Sequence, residues 1–165
     1  MQMRVRIALA LIPVVCASLL AYAIYYLQEE LGLEPCPMCI LQRYAFIAVG
    51  ITALVAAIHG PKGWALKLYS GLIVLFSIGG GCVAIRHSFL QHFPPKVETC
   101  GSDLGFLMGN FPLSQAIPKI FAGTGSCSAI DWKFLGLTIP EWALVWFVIF
   151  AAIAIWAVIT SRKPK

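Results

Sequence analysis

Four apolar runs, each about as long as a bilayer is thick, constrain this chain more than any other feature. Crossing about 30 Å of hydrocarbon takes roughly 17–25 helical residues. Residues 7–27 carry no charge over 21 positions, and residues 40–58 carry only Arg43 over 19. Residues 68–85 and 143–160 are uncharged over 18 positions each. The third run starts as early as residue 65 if Lys67 keeps its ammonium at the interface. Composition agrees: 60% of residues are hydrophobic and 12% charged, against about half and a quarter in a soluble domain.

The pattern predicts an all-α membrane protein, a four-transmembrane-helix bundle forming a single membrane domain over residues 1–165. Its helices are expected at about 7–27, 40–58, 65–85 and 142–160. Connections on alternate sides imply an up-down bundle. A basic start (Arg4, Arg6) before an apolar run also describes a secretory signal. The apolar core of such a signal is about 7–15 residues long, and no small-x-small cleavage site closes this longer run, so it is read as a retained helix.

Charge sets the orientation. Arg4, Arg6, Lys62, Lys67, Arg162, Lys163 and Lys165 flank alternate helix ends, seven of the twelve basic residues. All seven acids (Glu29, Glu30, Glu34, Glu98, Asp103, Asp131, Glu141) fall on the opposite side. The positive-inside rule then places both termini and the 59–64 turn in the cytoplasm. The net charge of +5 is topological, with no basic cluster interleaved with aromatic residues of the kind that binds nucleic acid.

Facing outward are a short loop at about 28–39 and a long one at about 87–141. They hold Cys36, Cys39, Cys100 and Cys127, four of the six cysteines. Disulfides persist in the periplasm or outside the cell, so charge and cysteine placement agree. Cys16 and Cys82 lie mid-membrane and read as small buried hydrophobes.

Local signals fill in the bundle. Pro13 is tolerated inside a membrane helix, and Tyr22, Tyr25 and Tyr26 mark the outer end of the first helix as an aromatic belt. Gly79, Gly80 and Gly81 permit close approach of a neighbouring helix, or of a flat ligand. Residues 104–121, interrupted by Pro112 and Pro118, either lie along the membrane surface or form an ordinary packed loop.

The chemistry concentrates in "EPCPMCILQR", residues 34–43. A Cys-x-x-Cys pair at a helix start is a redox geometry, because helix N-terminal N–H groups and the dipole stabilise a thiolate. Pro37 suits the first turn. Cys39 is expected within that turn and Cys36 just outside it, facing solvent. Arg43 follows Cys39 by four residues, on the same helix face. There it either snorkels to the interface or stabilises a Cys39 thiolate or holds an anionic or carbonyl ligand; ionisable residues inside spans are functional by default.

A structural zinc site wants a second closely spaced ligand pair, and Cys100 and Cys127 are 27 positions apart. No metal is therefore expected. Ile40 stands where c-type haem attachment needs histidine. Four external cysteines allow three connectivities. The simplest pairs Cys36 with Cys39 and Cys100 with Cys127, the latter serving either as a staple or as one half of an exchange relay. His87, at the outer end of the third run, is a candidate donor to a ligand near Arg43, the alternative being a solvated interfacial histidine.

These residues resemble the bacterial DsbB family of disulfide-forming quinone reductases over nearly the whole chain. The resemblance is carried by Cys36-Pro37-Met38-Cys39 with Gln42-Arg43, and by His87 leading through Leu90-Gln91 and Pro94-Pro95 to Cys100. It continues in Gly125-Ser126-Cys127, Phe134-Leu135-Gly136-Leu137 and Pro140-Glu141-Trp142. It implies an inner-membrane thiol oxidase that reoxidises a periplasmic DsbA-like partner. The partner's thiolate attacks Cys100 of a Cys100–Cys127 disulfide, the freed Cys127 attacks Cys36, and Cys39 is released as a thiolate beneath the quinone. Arg43 and His87 would hold the oxygens of ubiquinone or menaquinone. Some family members carry Glu at the position of Gln42, so a carboxylate is absent here. Two rivals are a vitamin K epoxide reductase-like thiol oxidase, whose Cys-x-x-Cys lies near the end of a late helix, and a non-catalytic membrane assembly factor with structural disulfides, which leaves Arg43 unexplained.

Overall fold

A computed structural model describes residues 2–94, 125–128, 130 and 132–161. Helix α1 (Gln2–Ala21) continues into a π-helical segment, Tyr22–Glu30. Then follow α2 (Pro37–His59), α3 (Trp64–His92), the single turn α4 (Gly125–Ser128), a hairpin of β1 (Lys133–Phe134) and β2 (Leu137–Thr138), and α5 (Ile139–Ser161). Four helical stretches are long and apolar enough to cross a membrane. Only 17–33% of their apolar windows is buried inside the bundle. Most of their surface is therefore apolar and outward-facing, with Leu11, Ile51, Ile78 and Ile155 among the exposed side chains, which suits lipid rather than water.

α2 packs between α1 and α3, and α5 packs along α3 with a shorter contact to α1. The core runs through Leu9 and Ile12 of α1, Val49 and Ala53 of α2, Ile73 and Ala84 of α3, and Phe147 and Phe150 of α5. Phe46 stacks on Phe147 with ring centroids 4.4 Å apart. Gly80 serves close packing: a Cβ there would overlap the Phe147 ring, whereas Gly79 faces open space. Cys16 is buried against Gly50. Cys82 is not a core residue: it is exposed on the outward face of α3, because Gly80, Gly81 and Ala84 take the inward positions.

The α2–α3 turn is tight. Gly60 adopts φ 61°, and its N–H bonds the Ala56 carbonyl, a left-handed cap that glycine accepts without strain. Arg6 reaches across from α1 and donates from Nε to the Ala57 carbonyl at 2.8 Å, satisfying an orphan acceptor at the α2 terminus.

α3 outlasts its apolar run by seven residues. Gly80, Ala84, His87 and Leu90 keep the helical inward spacing and are all buried, so the helix continues after the uninterrupted apolar run stops. The hairpin turns at Leu135 and Gly136, both at positive φ (52° and 84°), as a two-residue type I′ connection requires.

Candidate redox site

The end of the bundle where α2 begins and α3 ends gathers side chains from four elements. Cys36 is the N-cap of α2, with extended backbone (φ −68°, ψ 161°) and Pro37 beginning the helix. Its sulfur accepts from the Cys39 backbone N–H at 3.4 Å, the capping role usually filled by a serine or aspartate oxygen. One turn on, Cys39 Sγ accepts from the Cys36 thiol at 3.1 Å. The Cys-x-x-Cys spacing at a helix start thus brings the two sulfurs into contact.

Cys36 does not face solvent. It is 5% exposed, because α4 seats Cys127, itself fully buried, against it. The hydrogen bond with Cys127, then that with Cys39, then burial hold the Cys36 thiol above the usual cysteine range. Cys100 lies outside the described residues, as does the 104–121 segment.

His87 comes from the part of α3 that extends beyond its apolar run and is 3% exposed. Its Nε2 lies 3.7 Å from Cys36 Sγ, and its ring hydrogen bonds the Cys127 backbone carbonyl. Its Nδ1 meets Nε2 of the buried Gln42 at 3.4 Å. With Gln42 donating, the ring proton sits on Nε2, facing Cys36 and Cys127. From the sequence, this histidine is a candidate donor to a ligand near Arg43; in the fold it lines the same cavity as Arg43 and also lies against the thiols. Gln42 was legible only as a missing carboxylate, and the structure makes it the His87 partner.

Arg43 is half-buried and donates from Nη1 to Gln28 Oε1 at 3.0 Å. Gln28 sits in the π-helical segment, a helix form often found at functional sites. Its polar side chain, following an apolar run, is the signal that marks it.

Cys36, Cys39, Gln42, Arg43 and His87 all line one cavity of about 420 Å³. Its walls are mostly apolar and include Phe46, Trp142 and Trp146, the usual character of a small-molecule site. On the cavity wall, Trp132 stacks on Phe134 with centroids 6.0 Å apart and meets Tyr22 edge-on at 6.2 Å. Trp142 Nε1 donates to the Phe134 carbonyl at 3.0 Å, fixing the hairpin to α5. Glu141 accepts from the Thr138 N–H at 2.7 Å and from Ser88 Oγ at 3.2 Å, tying α5 to α3 beside the cavity. The hairpin and this carboxylate clamp were not foreseen from sequence.

Chemically, the arrangement is a dithiol whose outer sulfur meets a third cysteine and whose inner sulfur borders an apolar cavity supplied with a cation. The profile of the family described as "Disulfide bond formation protein DsbB" matches residues 5–157. Proteins called "Disulfide bond formation protein B" are similar along most of their length. One from Azoarcus sp. (strain BH72) is 49% identical over 147 residues, 89% of this chain and 88% of its own. One from Paracidovorax citrulli (strain AAC00-1) is 45% identical over 159 residues, 96% and 90% of the two chains.

Proposed function

The chain belongs to the DsbB family of disulfide bond formation proteins, and from that premise we propose that it reoxidises a DsbA-like periplasmic thiol oxidase and passes the electron pair to a membrane quinone. The observation that carries the reading is the contact of Cys127 with Cys36 while Cys39, one helical turn away, lines the cavity with Arg43. That the three sulfurs of Cys127, Cys36 and Cys39 lie beside one another supports the relay.

Thiol–disulfide exchange proceeds by attack of a thiolate on a disulfide sulfur, along the S–S axis. The partner's thiolate attacks Cys100 and breaks the Cys100–Cys127 bond. Freed Cys127 attacks Cys36 and breaks the Cys36–Cys39 bond, so that Cys39 leaves as a thiolate. The partner's second thiol displaces Cys100 and completes the partner's disulfide. Cys100 then displaces Cys36 from Cys127, restoring the Cys100–Cys127 bond. The net change so far is one partner dithiol oxidised and Cys36–Cys39 reduced.

A quinone ring with its two carbonyl oxygens suits this cavity: flat aromatic and apolar walls, a guanidinium and a sulfur nucleophile on one side. When bound, the quinone supplies an acceptor for two electrons and two protons, and Cys36–Cys39 is re-formed. Arg43, steadied by Gln28, would donate hydrogen bonds to a quinone carbonyl oxygen without itself losing a proton. His87 holds its Nε2–H toward Cys36 and Cys127, where it steadies sulfur as negative charge moves between them. Aromatic and aliphatic walls keep water from the exchanging sulfurs. Ubiquinone and menaquinone share the carbonyl chemistry these residues recognise.

In this reading both termini are cytoplasmic and the cysteine-bearing end faces the periplasm across the bacterial inner membrane. The relay is tested by trapping. A reduced partner whose second active-site cysteine is replaced by alanine should accumulate a Cys100 mixed disulfide with the oxidised chain on a non-reducing gel, because no second thiol displaces Cys100. Absence of that adduct, while the unaltered partner is still oxidised, overturns the assigned order.

A further inference from the structure

Spacing alone offers a metal ion only Cys36 and Cys39; the fold brings in a third ligand from α3. Cys36 Sγ, Cys39 Sγ and a ring nitrogen of His87 all lie within 4.8 Å of one another. We propose that the reduced chain binds one Zn²⁺ ion through Cys36 Sγ, Cys39 Sγ and His87 Nε2, a state in which the dithiol cannot be oxidised.

The distances are nearly those of a coordinated set. Tetrahedral zinc, with Zn–S of about 2.3 Å and Zn–N of about 2.05 Å, sets its ligand atoms about 3.8 Å apart for two sulfurs and about 3.6 Å for sulfur and nitrogen. Here Cys36 Sγ and His87 Nε2 stand 3.7 Å apart, and the two sulfurs, at 3.1 Å, separate by a small rotation of Cys39. Three protein ligands and one open position form the usual zinc arrangement where a cavity supplies the fourth ligand as water. Donor chemistry agrees: two thiolates and an imidazole favour zinc over magnesium or calcium, which take oxygen.

A zinc-binding histidine usually anchors its second ring nitrogen on an acceptor. Gln42 already stands at His87 Nδ1. A half-turn of its amide presents the carbonyl oxygen to an Nδ1–H, and Nε2, giving up its hydrogen bond to the Cys127 carbonyl, is then available to the metal. The same cavity borders all three ligands and has the carboxylate of Glu34 on its wall. Binding transfers no electrons. Cys36 and Cys39 each release a proton to solvent as their sulfur–zinc bonds form, and the ring proton of His87 moves from Nε2 to Nδ1. The ligands are the sulfurs of the Cys36–Cys39 bond, so zinc and disulfide exclude each other. The inference goes beyond the oxidase reading and does not need it: metal affinity is measured without quinone or partner protein.

The experiment uses full-length protein in detergent, with Cys100→Ser and Cys127→Ser removing the other external pair. After reduction and removal of reductant under argon, Co²⁺ is titrated as a spectroscopic probe and then displaced by Zn²⁺. The expected result is one ion per chain, thiolate-to-cobalt and tetrahedral visible bands, and about two protons released per Zn²⁺. His87→Ala should weaken affinity by at least about tenfold, while Cys36→Ser and Cys39→Ser each abolish the thiolate band. Circular dichroism checks the fold of each variant. If His87→Ala is misfolded, the two serine variants and His87→Gln carry the test. Equal binding by oxidised protein, full affinity without His87, or no ion bound by reduced protein would each overturn the proposal.

Discussion

Gln42 on α2 and His87 on α3 meet at 3.4 Å, and each is 3% exposed. A buried polar pair of this kind fixes ring orientation as well as helix spacing, because either group alone is left unsatisfied at a cost of about 1–3 kcal/mol. Gln42→Leu should therefore lower stability by about that amount, read as the thermal midpoint in detergent. It should also slow exchange between Cys127 and Cys36, since the His87 ring is no longer held. An unchanged midpoint together with unchanged exchange would contradict this account of the pair.

Arg43 is held by Gln28 at 3.0 Å on the cavity wall. Hydrogen bonds to charged groups contribute about 1.5–3 kcal/mol. Arg43→Ala should raise the apparent KM for a short-chain quinone about tenfold or more, leaving the KM for the partner protein little changed. Gln28→Ala should shift the quinone KM in the same direction, by less. Equal effects on both substrates would mean that Arg43 supports the fold rather than the acceptor.

The contact of Gly80 with Phe147 predicts a stability effect far from the thiols. Gly80→Ala drives a methyl group into the ring, an overpacking that costs about 1–3 kcal/mol. Phe147→Leu in the same chain should recover part of the loss. Additive rather than compensating effects, measured by thermal unfolding, would show that the two residues do not share the contact.

Cys36 and Cys39 should differ in reactivity. The Cys36 thiol is held above its ordinary range by Cys127, Cys39 and burial, so near neutral pH it stays protonated and a poor nucleophile. Iodoacetamide applied to the reduced protein should label Cys39 before Cys36, and labelling of Cys36 should rise only as the pH is increased. Mass spectrometry of the labelled peptides that showed Cys36 reacting first would contradict the arrangement.

Much of this was legible in the sequence, for identifiable reasons. Bilayer length, the charge of the flanks and the Cys-x-x-Cys pair at a helix start are local patterns, and they led to the bundle and to the Cys36–Cys39 pair. Arg43 stood out because a cation inside an apolar run needs a reason. What sequence did not show depends on contacts between distant elements. Cys36 is buried by α4, more than eighty residues away, and His87 is turned toward the thiols by packing along α3. The true length of α3 was hidden because hydropathy reports lipid contact, while Leu90 continues the helix against protein. The hairpin carries Leu135 at positive φ, a conformation leucine rarely adopts, so turn chemistry gave no signal for it.

In the proposed relay, electrons leave the partner through these cysteines and reach quinone by way of Cys39. The most direct measurement follows quinone absorbance anaerobically, with purified protein, a reduced DsbA-like partner and a short-chain quinone. The account predicts one quinone reduced per partner dithiol oxidised by the wild type, and none above background by Cys39→Ala. Equal quinone reduction by the two proteins, or none by either, would contradict it.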